Sequence, residues 1–189
     1  MKVQTLDIPD VKVVTPQRHG DDRGYFAEIF NRRRFADELG LDESELDFVQ
    51  DNQSFSAAAG TLRGLHFQAP PHAQGKLVRV LSGAIYDVAV DIRRSSQTYG
   101  RWVAAEISAD AGNQIWVPSG FLHGFMTLVP DVAVSYKVTG YYNRESEGSV
   151  LWSDPDIGIV WPDVVGRPLL SDKDAAAPRF ADFVSPFVA

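Results

Sequence analysis

Two short runs hold the residues best suited to acid–base chemistry. Leu62-Arg63-Gly64-Leu65-His66-Phe67-Gln68 and Gly120-Phe121-Leu122-His123-Gly124-Phe125 each set one imidazole among apolar residues, in segments that read as β-strand. A histidine so placed, with a basic neighbour and no thiol in the chain, points to proton transfer rather than redox or thiolate chemistry. A histidine base needs a carboxylate on its second ring nitrogen, which fixes the tautomer and supports the imidazolium. Asp87, Asp172 and Asp174 are the acids open to His66. His123 reads as a donor to a substrate oxygen. For both histidines the plain alternative is a packed core imidazole, because histidine has only an intermediate tendency to burial.

Other side chains extend this set. In Val132-Ala133-Val134-Ser135-Tyr136-Lys137-Val138, strand alternation puts Tyr136 on the face of three valines and Lys137 on the other. An inward phenol must find a hydrogen-bond partner. Arg23, Arg63, Lys76 and Lys173 stand beside Gly, Asp or His and are candidate cations for an anionic ligand. Arg23 before Gly24 can present a guanidinium fork to phosphate; the plain reading is a surface pair with Glu28. Ser171-Asp172-Lys173-Asp174 would ordinarily be an exposed polar cap. A regular strand puts Arg63 and His66 on opposite faces. If both reach one ligand, Gly64 must bulge or Arg63 must precede the strand.

A metal is not expected. Barrel metal sites use two histidines at i and i+2, so that both imidazoles share a strand face. The four histidines are His19, His66, His72 and His123, and no His-x-His occurs. The chain contains no cysteine, which removes disulfides, thiolate ligands and a cysteine nucleophile.

The elements that must position these groups are mostly strands. Val78–Leu81, a Ser82-Gly83 turn and Ile85–Ile92 read as a hairpin. Trp102–Ile107, Gln114–Val117 and Val132–Val138 follow at short spacing, a rhythm that predicts an all-β sandwich or barrel. One helix is expected at Arg32–Leu39, capped by Asn31 and ended by Gly40, with a short helical turn after Ser171. From about Asp154 the prolines 155, 162 and 168 rule out central strands. That segment should pack across the barrel, anchored by Trp152, Ile157, Ile159 and Trp161.

The 189 residues predict one domain spanning 1–189, and 44% hydrophobic content suffices for a core. A net charge of −7 argues against a nucleic-acid partner. No apolar run is long enough to span a membrane, and the N-terminus lacks a signal-peptide core. A cytoplasmic protein is the expectation.

Taken together, the ordered motifs resemble the dTDP-4-dehydrorhamnose 3,5-epimerases, from Asp7 to about Pro178. They comprise Asp22-Arg23-Gly24 with Phe26 and Glu28, then Gln50-Asp51-Asn52, Arg63 to Gln68 and Gln74-Gly75-Lys76-Leu77. Asp87 to Arg93, Pro118 to Phe125, Tyr136, Tyr141-Tyr142 and Ser171 to Asp174 complete them. The resemblance implies a cupin-type jelly-roll barrel with a few short peripheral helices. It implies inversion of dTDP-4-dehydro-6-deoxy-D-glucose at C3 and C5, without metal or other cofactor. Under it His66 is the base, Asp174 its carboxylate, Tyr136 the acid on the opposite face and Lys76 the enolate stabiliser. Arg23 and Arg63 meet the diphosphate, and Tyr142 stacks on thymine. Glu28, Gln50, Asn52, His123, Glu147 and Lys173 are further ligand contacts. The resemblance also implies a homodimer that exchanges early strands between subunits. A relative inverting C3 or C5 alone, and a noncatalytic nucleotide-sugar-binding cupin, are the alternatives. One departure is Arg144, where the family commonly carries proline, beside Tyr142 and Glu147.

Overall fold

The computed structural model describes residues 1–164 and 166–188. Val165 and Ala189, inside the expected domain span, lie outside the described residues. The strands in chain order are β1 (Lys2–Thr5), β2 (Lys12–Thr15), β3 (His19–Asp21), β4 (Gly24–Phe26), β5 (Gln50–Ser56), β6 (Leu62–Gln68), β7 (Lys76–Ser82), β8 (Ala84–Asp91), β9 (Trp102–Ser108), β10 (Gln114–Val117), β11 (Phe121–Thr127), β12 (Val132–Val138) and β13 (Glu147–Ser149). The helices are α1 (Arg32–Leu39) and the single turn α2 (Asp172–Ala175).

Two antiparallel sheets face each other. One runs β1-β2-β10-β7-β12-β5 and the other β13-β6-β11-β8-β9, with β3 and β4 as a separate hairpin. This is the expected jelly-roll arrangement. Between the sheets lie Val13, Val78, Val80, Ile115 and Val134 from the first, and Ile85, Ala89, Val103, Phe121 and Phe125 from the second. Each sheet is also covered outside. Phe35, Ala36 and Leu39 of α1 pack on Val14, Leu77 and Trp116. Asn31 caps α1 by accepting from the Arg34 N–H, and Gly40 ends it at φ +68°.

The C-terminal segment covers the second sheet. Val88, Val90 and Ile92 of β8 and its exit meet Ile157 and Phe187, with Ile159, Trp161 and Phe183 beside them. The indole N–H of Trp161 donates to the Trp152 carbonyl. Strand β8 is therefore buried on both faces. Its face of Ile85, Asp87, Ala89 and Asp91 is the one opposite these contacts.

The hairpin expected between Val78–Leu81 and Ile85–Ile92 does not form. Strand β7 pairs with β10 and β12, whereas β8 pairs with β11 and β9. Gly83, at φ +78°, instead turns the chain from one sheet into the other. The Ser-Gly turn signal suits a corner as well as a hairpin. The pairing is settled by distant elements: β9 and β11 take the edges of β8, while the first sheet and the C-terminal segment bury its two faces.

Strand β6 does contain the irregularity needed to align Arg63 with His66. His123 of β11 faces His66, but Phe125 faces Arg63, and the register shifts between them. Three steps along β6 thus match two along β11, which is a bulge. Gly64 occupies it at φ +124°, where a Cβ would lie 2.6 Å from the Gly124 Cα and 2.8 Å from the His123 carbonyl oxygen. Backbone cannot yield there as a flexible side chain would. Gly64→Ala is expected to cost at least about 1–3 kcal/mol from overpacking, or roughly 2–12 °C in Tm for a chain of this size. Thermal unfolding measures this; an unchanged Tm would mean that the crowding at Gly64 is relieved at no cost.

Candidate active site

The two sheets enclose a cavity of about 730 Å³. From β6 it receives Arg63 and His66, from β11 His123 and Phe125. The facing sheet supplies Asn52 and Ser54 of β5, Lys76 of β7 and Tyr136 of β12. Leu169, Leu170, Ser171, Lys173 and Asp174 close one side. His66 and Tyr136 thus reach the cavity from opposite sheets.

His66 Nε2 lies 2.5 Å from Asp174 Oδ1. A carboxylate only accepts, so Nε2 carries the proton and the lone pair is on Nδ1. Asp174 is held in place by α2, whose N-cap Ser171 accepts the Asp174 N–H at 3.1 Å. Burial acts to raise the Asp174 carboxyl. Hydrogen bonds from His66, Ser171 and the Gly64 backbone, with the His66 charge, outweigh it and hold the group below the usual carboxylate range. Asp174 is therefore the acid that His66 takes, of the three that the sequence offered.

Asp87 serves the other imidazole. His123 Nε2 contacts both of its carboxylate oxygens, at 3.0 and 2.9 Å, and both residues are buried. With Nε2–H committed to Asp87, His123 can donate into the cavity only through Nδ1–H, in its imidazolium form.

Lys76 opens β7. Burial pushes its ammonium down to about 8, against the opposing charges of Asp87 and Glu147. It keeps its proton at neutral pH. Tyr136 moves the other way. Burial pushes its phenol up to about 12, despite the hydrogen bond with Ser54, so it stays protonated. Arg63 is fixed to the edge strand, Nε donating to Ser56 Oγ at 3.3 Å and Nη2 to the Phe55 carbonyl at 3.0 Å. In a chain of negative net charge, Arg63, Lys76 and Lys173 supply the local positive field that an anionic ligand needs.

A second group of the expected residues is linked to this cavity at its rim. Lys173 Nζ lies 2.6 Å from Glu147 Oε1, and Tyr142 Oη donates to Glu147 Oε2 at 3.1 Å. The Tyr142 N–H donates to Gln50 Oε1, and Gln50 Nε2 donates to Asn52 Oδ1. Gln68 anchors the loop by accepting from Asn143 N–H and donating to the Tyr141 carbonyl. Burial acts to raise Glu147, but Lys173 and Tyr142 keep it low. Arg144 begins a 3-10 turn, Arg144–Ser146, capped by Asn143. Proline is favoured at such a first helical position. Arg144 therefore replaces it without separating Tyr142 from Glu147.

Arg23 and Glu28 are not brought to the cavity of their own chain. Arg23 pairs with Asp21 at 2.5 Å on the exposed β3–β4 hairpin. Glu28 meets Arg34 at 3.6 Å and Asn31 at 3.2 Å. The surface pair expected between Arg23 and Glu28 is replaced by these nearer partners. Among the cavity residues that escaped the sequence reading are Ser54, which bonds Tyr136, and Ser56, which bonds Arg63. The signal was a strand face of neutral polar residues, Gln50, Asn52, Ser54 and Ser56, at period two. Among the described residues no group of three or more His, Asp and Glu side chains is placed to hold a metal ion.

Comparison with known proteins places the chain in a family. The family model described as dTDP-4-dehydrorhamnose 3,5-epimerase matches residues 5–182. A dTDP-4-dehydrorhamnose 3,5-epimerase of Sinorhizobium fredii is 50% identical over 182 residues, covering 96% of this chain and 91% of the relative. A crystal structure of dTDP-6-deoxy-D-glucose-3,5-epimerase from Legionella pneumophila, in complex with dTDP-4-keto-L-rhamnose, superposes with a TM-score of 0.89. It is 43% identical and covers 97% of this chain and 94% of that one. A 3'-monoepimerase from Streptomyces bikiniensis, in complex with dTDP-quinovose, is 35% identical with a TM-score of 0.85, covering 94% and 87%. This chain belongs to the dTDP-4-dehydrorhamnose 3,5-epimerase family.

Proposed function

We propose that this enzyme inverts C3 and C5 of dTDP-4-dehydro-6-deoxy-D-glucose, giving dTDP-4-dehydro-L-rhamnose, with His66, Lys76, Tyr136 and Asp174 as its working groups. The observation that carries the reading is one cavity in which a carboxylate-held imidazole and a protonated phenol enter from opposite sheets. The C4 ketone acidifies both neighbouring carbons. His66 Nδ1 removes a proton from one of them, and Asp174 stabilises the imidazolium. Electron density moves to the C4 oxygen, where the Lys76 ammonium meets it. Tyr136 then protonates the carbon from the other face, which inverts it. Repetition at the second carbon needs no new group, because the same oxygen takes the charge each time.

The magnitudes require more than a base. A positioned acid or base typically gives about 10²–10⁴-fold. A donor to a developing oxyanion is worth roughly 2.7–4 kcal/mol. Lys76 supplies that donor, and His123, held by Asp87, lines the same cavity. Arg63 and Lys173 take the diphosphate end, with Tyr142 stacked on the base and Gln50, Asn52 and Glu147 shaping that end.

The remaining ligand contacts come from a second copy in this reading. Tyr25 and Phe26 of the β3–β4 hairpin are 61% and 73% exposed. A homodimer that exchanges this hairpin covers them and brings Arg23 and Glu28 to the neighbouring cavity. The chain acts as one domain over 1–189, its segment from about 154 closing the site, and works in the cytoplasm on a soluble nucleotide sugar.

Incubation with dTDP-4-keto-6-deoxyglucose in deuterated water tests the reaction. Deuterium is expected at both C3 and C5, with both centres inverted by NMR. One labelled and inverted centre would instead make this a single-position epimerase like the Streptomyces relative. His66→Ala and Tyr136→Phe should each lower product formation by at least about 100-fold, the lower end for a lost general acid or base, while the substrate still binds. Tyr136→Phe should retain exchange into unreacted substrate. If it exchanges at neither carbon, Tyr136 does more than return the proton.

Lys76 also sets an alkaline limit. It helps only as an ammonium, and its pKa near 8 means that kcat should fall as pH rises through that value. Arginine stays charged to a pKa of about 12 or more, so Lys76→Arg should lose rate yet carry its alkaline limb higher. A limb that stays in place would assign it to another group.

A further inference from the structure

Tyr136 must lose a proton and recover one at each inverted carbon, and its surroundings restrict the source. Its ring lies beside Phe125, with centroids 6.2 Å apart, and packs against the apolar layer between the sheets. Its hydroxyl makes one hydrogen bond among the described residues, to Ser54 Oγ at 2.6 Å. Tyr136 faces Asn52 across the β12–β5 pair and Ser54 faces Val134. Ser54 is therefore the diagonal neighbour of Tyr136 on the same sheet face, within reach of a long side chain. Strand β5 is the edge of its sheet, and Ser54 lines the cavity while remaining only part-buried. The serine hydroxyl is thus bonded to the phenol and belongs to a part-buried residue on an edge strand.

We infer that Ser54 is a positioning residue that aims the Tyr136 hydroxyl at the sugar ring and relays a solvent proton back to it after each transfer. The inference rests on the epimerase reading of the site. In the step, the Tyr136 O–H bond breaks as the new C–H bond forms, leaving a phenolate. Ser54 gives its hydroxyl proton to that phenolate and takes one from water at the strand edge. The hydroxide so formed is neutralised by the proton that His66 releases to solvent. A phenol that burial holds near 12 makes a costly phenolate. A hydroxyl already bonded to it shortens the life of that state.

The test follows the fate of the enolate in deuterated water. When acid delivery is weakened, the enolate returns more often through His66 on its original face. Ser54→Ala should therefore raise the ratio of deuterium in unreacted substrate to inverted product several-fold. It should lower kcat by about 10–100-fold, less than complete loss of a general acid, with KM within about twofold. Ser54→Thr, which keeps the hydroxyl, should restore both readouts most of the way. A wild-type partition ratio in Ser54→Ala would overturn the relay. So would a raised KM at unchanged kcat, which would make Ser54 a sugar contact only, or a Thr variant as poor as Ala. The wild-type enzyme run in parallel separates the two levels: no inversion there defeats the epimerase reading itself, whereas inversion with an indifferent Ser54 defeats only the relay.

Discussion

One hydrogen bond joins the two parts of this molecule that make its chemistry. His66 belongs to a central strand and Asp174 to a one-turn helix 108 residues later. The bond needs both to be placed independently. On one side, the Gly64 bulge turns His66 to the face of Arg63 and offers its own N–H to the Asp174 carboxylate. On the other, Ser171 caps α2, and Leu169 bridges Thr61 at the mouth of β6. The C-terminal segment is thus more than a cover for β8. It carries the carboxylate that fixes which nitrogen of His66 is free to act.

Charge state follows from burial in each case, with different signs. Desolvation disfavours the charged form, so it raises phenols and carboxyls and lowers ammoniums. For Tyr136 nothing offsets it fully, and the phenol keeps its proton. For Lys76 the carboxylates of Asp87 and Glu147 limit the fall, leaving a cation at neutral pH. For Asp174 the hydrogen bonds win and the carboxylate persists. These are the charge states that the proposed reaction uses: a carboxylate to support the base, a cation for the enolate and a protonated acid.

Local signals were legible in the sequence where a single element decides the outcome. Asn31 and Gly40 bracket α1 because caps act within one turn. Alternation put Tyr136 inside because β12 is regular across that residue. The parity conflict between Arg63 and His66 called for either a bulge at Gly64 or an Arg63 ahead of the strand, and the bulge is what forms. Choices between distant partners were less legible. Ser82-Gly83 reads as a hairpin turn, yet β7 and β8 belong to different sheets. Residue types alone left Asp87, Asp172 and Asp174 open as partners for His66; only the family resemblance pointed to Asp174, which the folded-back C-terminal segment supplies. Ser54 and Ser56 gave a polar face without a charge, which alone announces nothing.

In the proposed reaction the two histidines take different tasks, and their positions differ accordingly. His66 and His123 face each other across β6 and β11, and each has its own carboxylate. Like charges directly opposite on a sheet repel, so two imidazolium ions there would disfavour each other without those acids. Exposure separates their roles. The side chain of His66 is 31% exposed and that of His123 is 5% exposed. A base must pass its proton to solvent before it can act again, and His66 has that access. His123 is enclosed with a fully buried Asp87 and lacks that access. Both histidines have a His–Asp bond, so in the proposed reaction it is contact with water, rather than that bond, that sets His66 apart as the base.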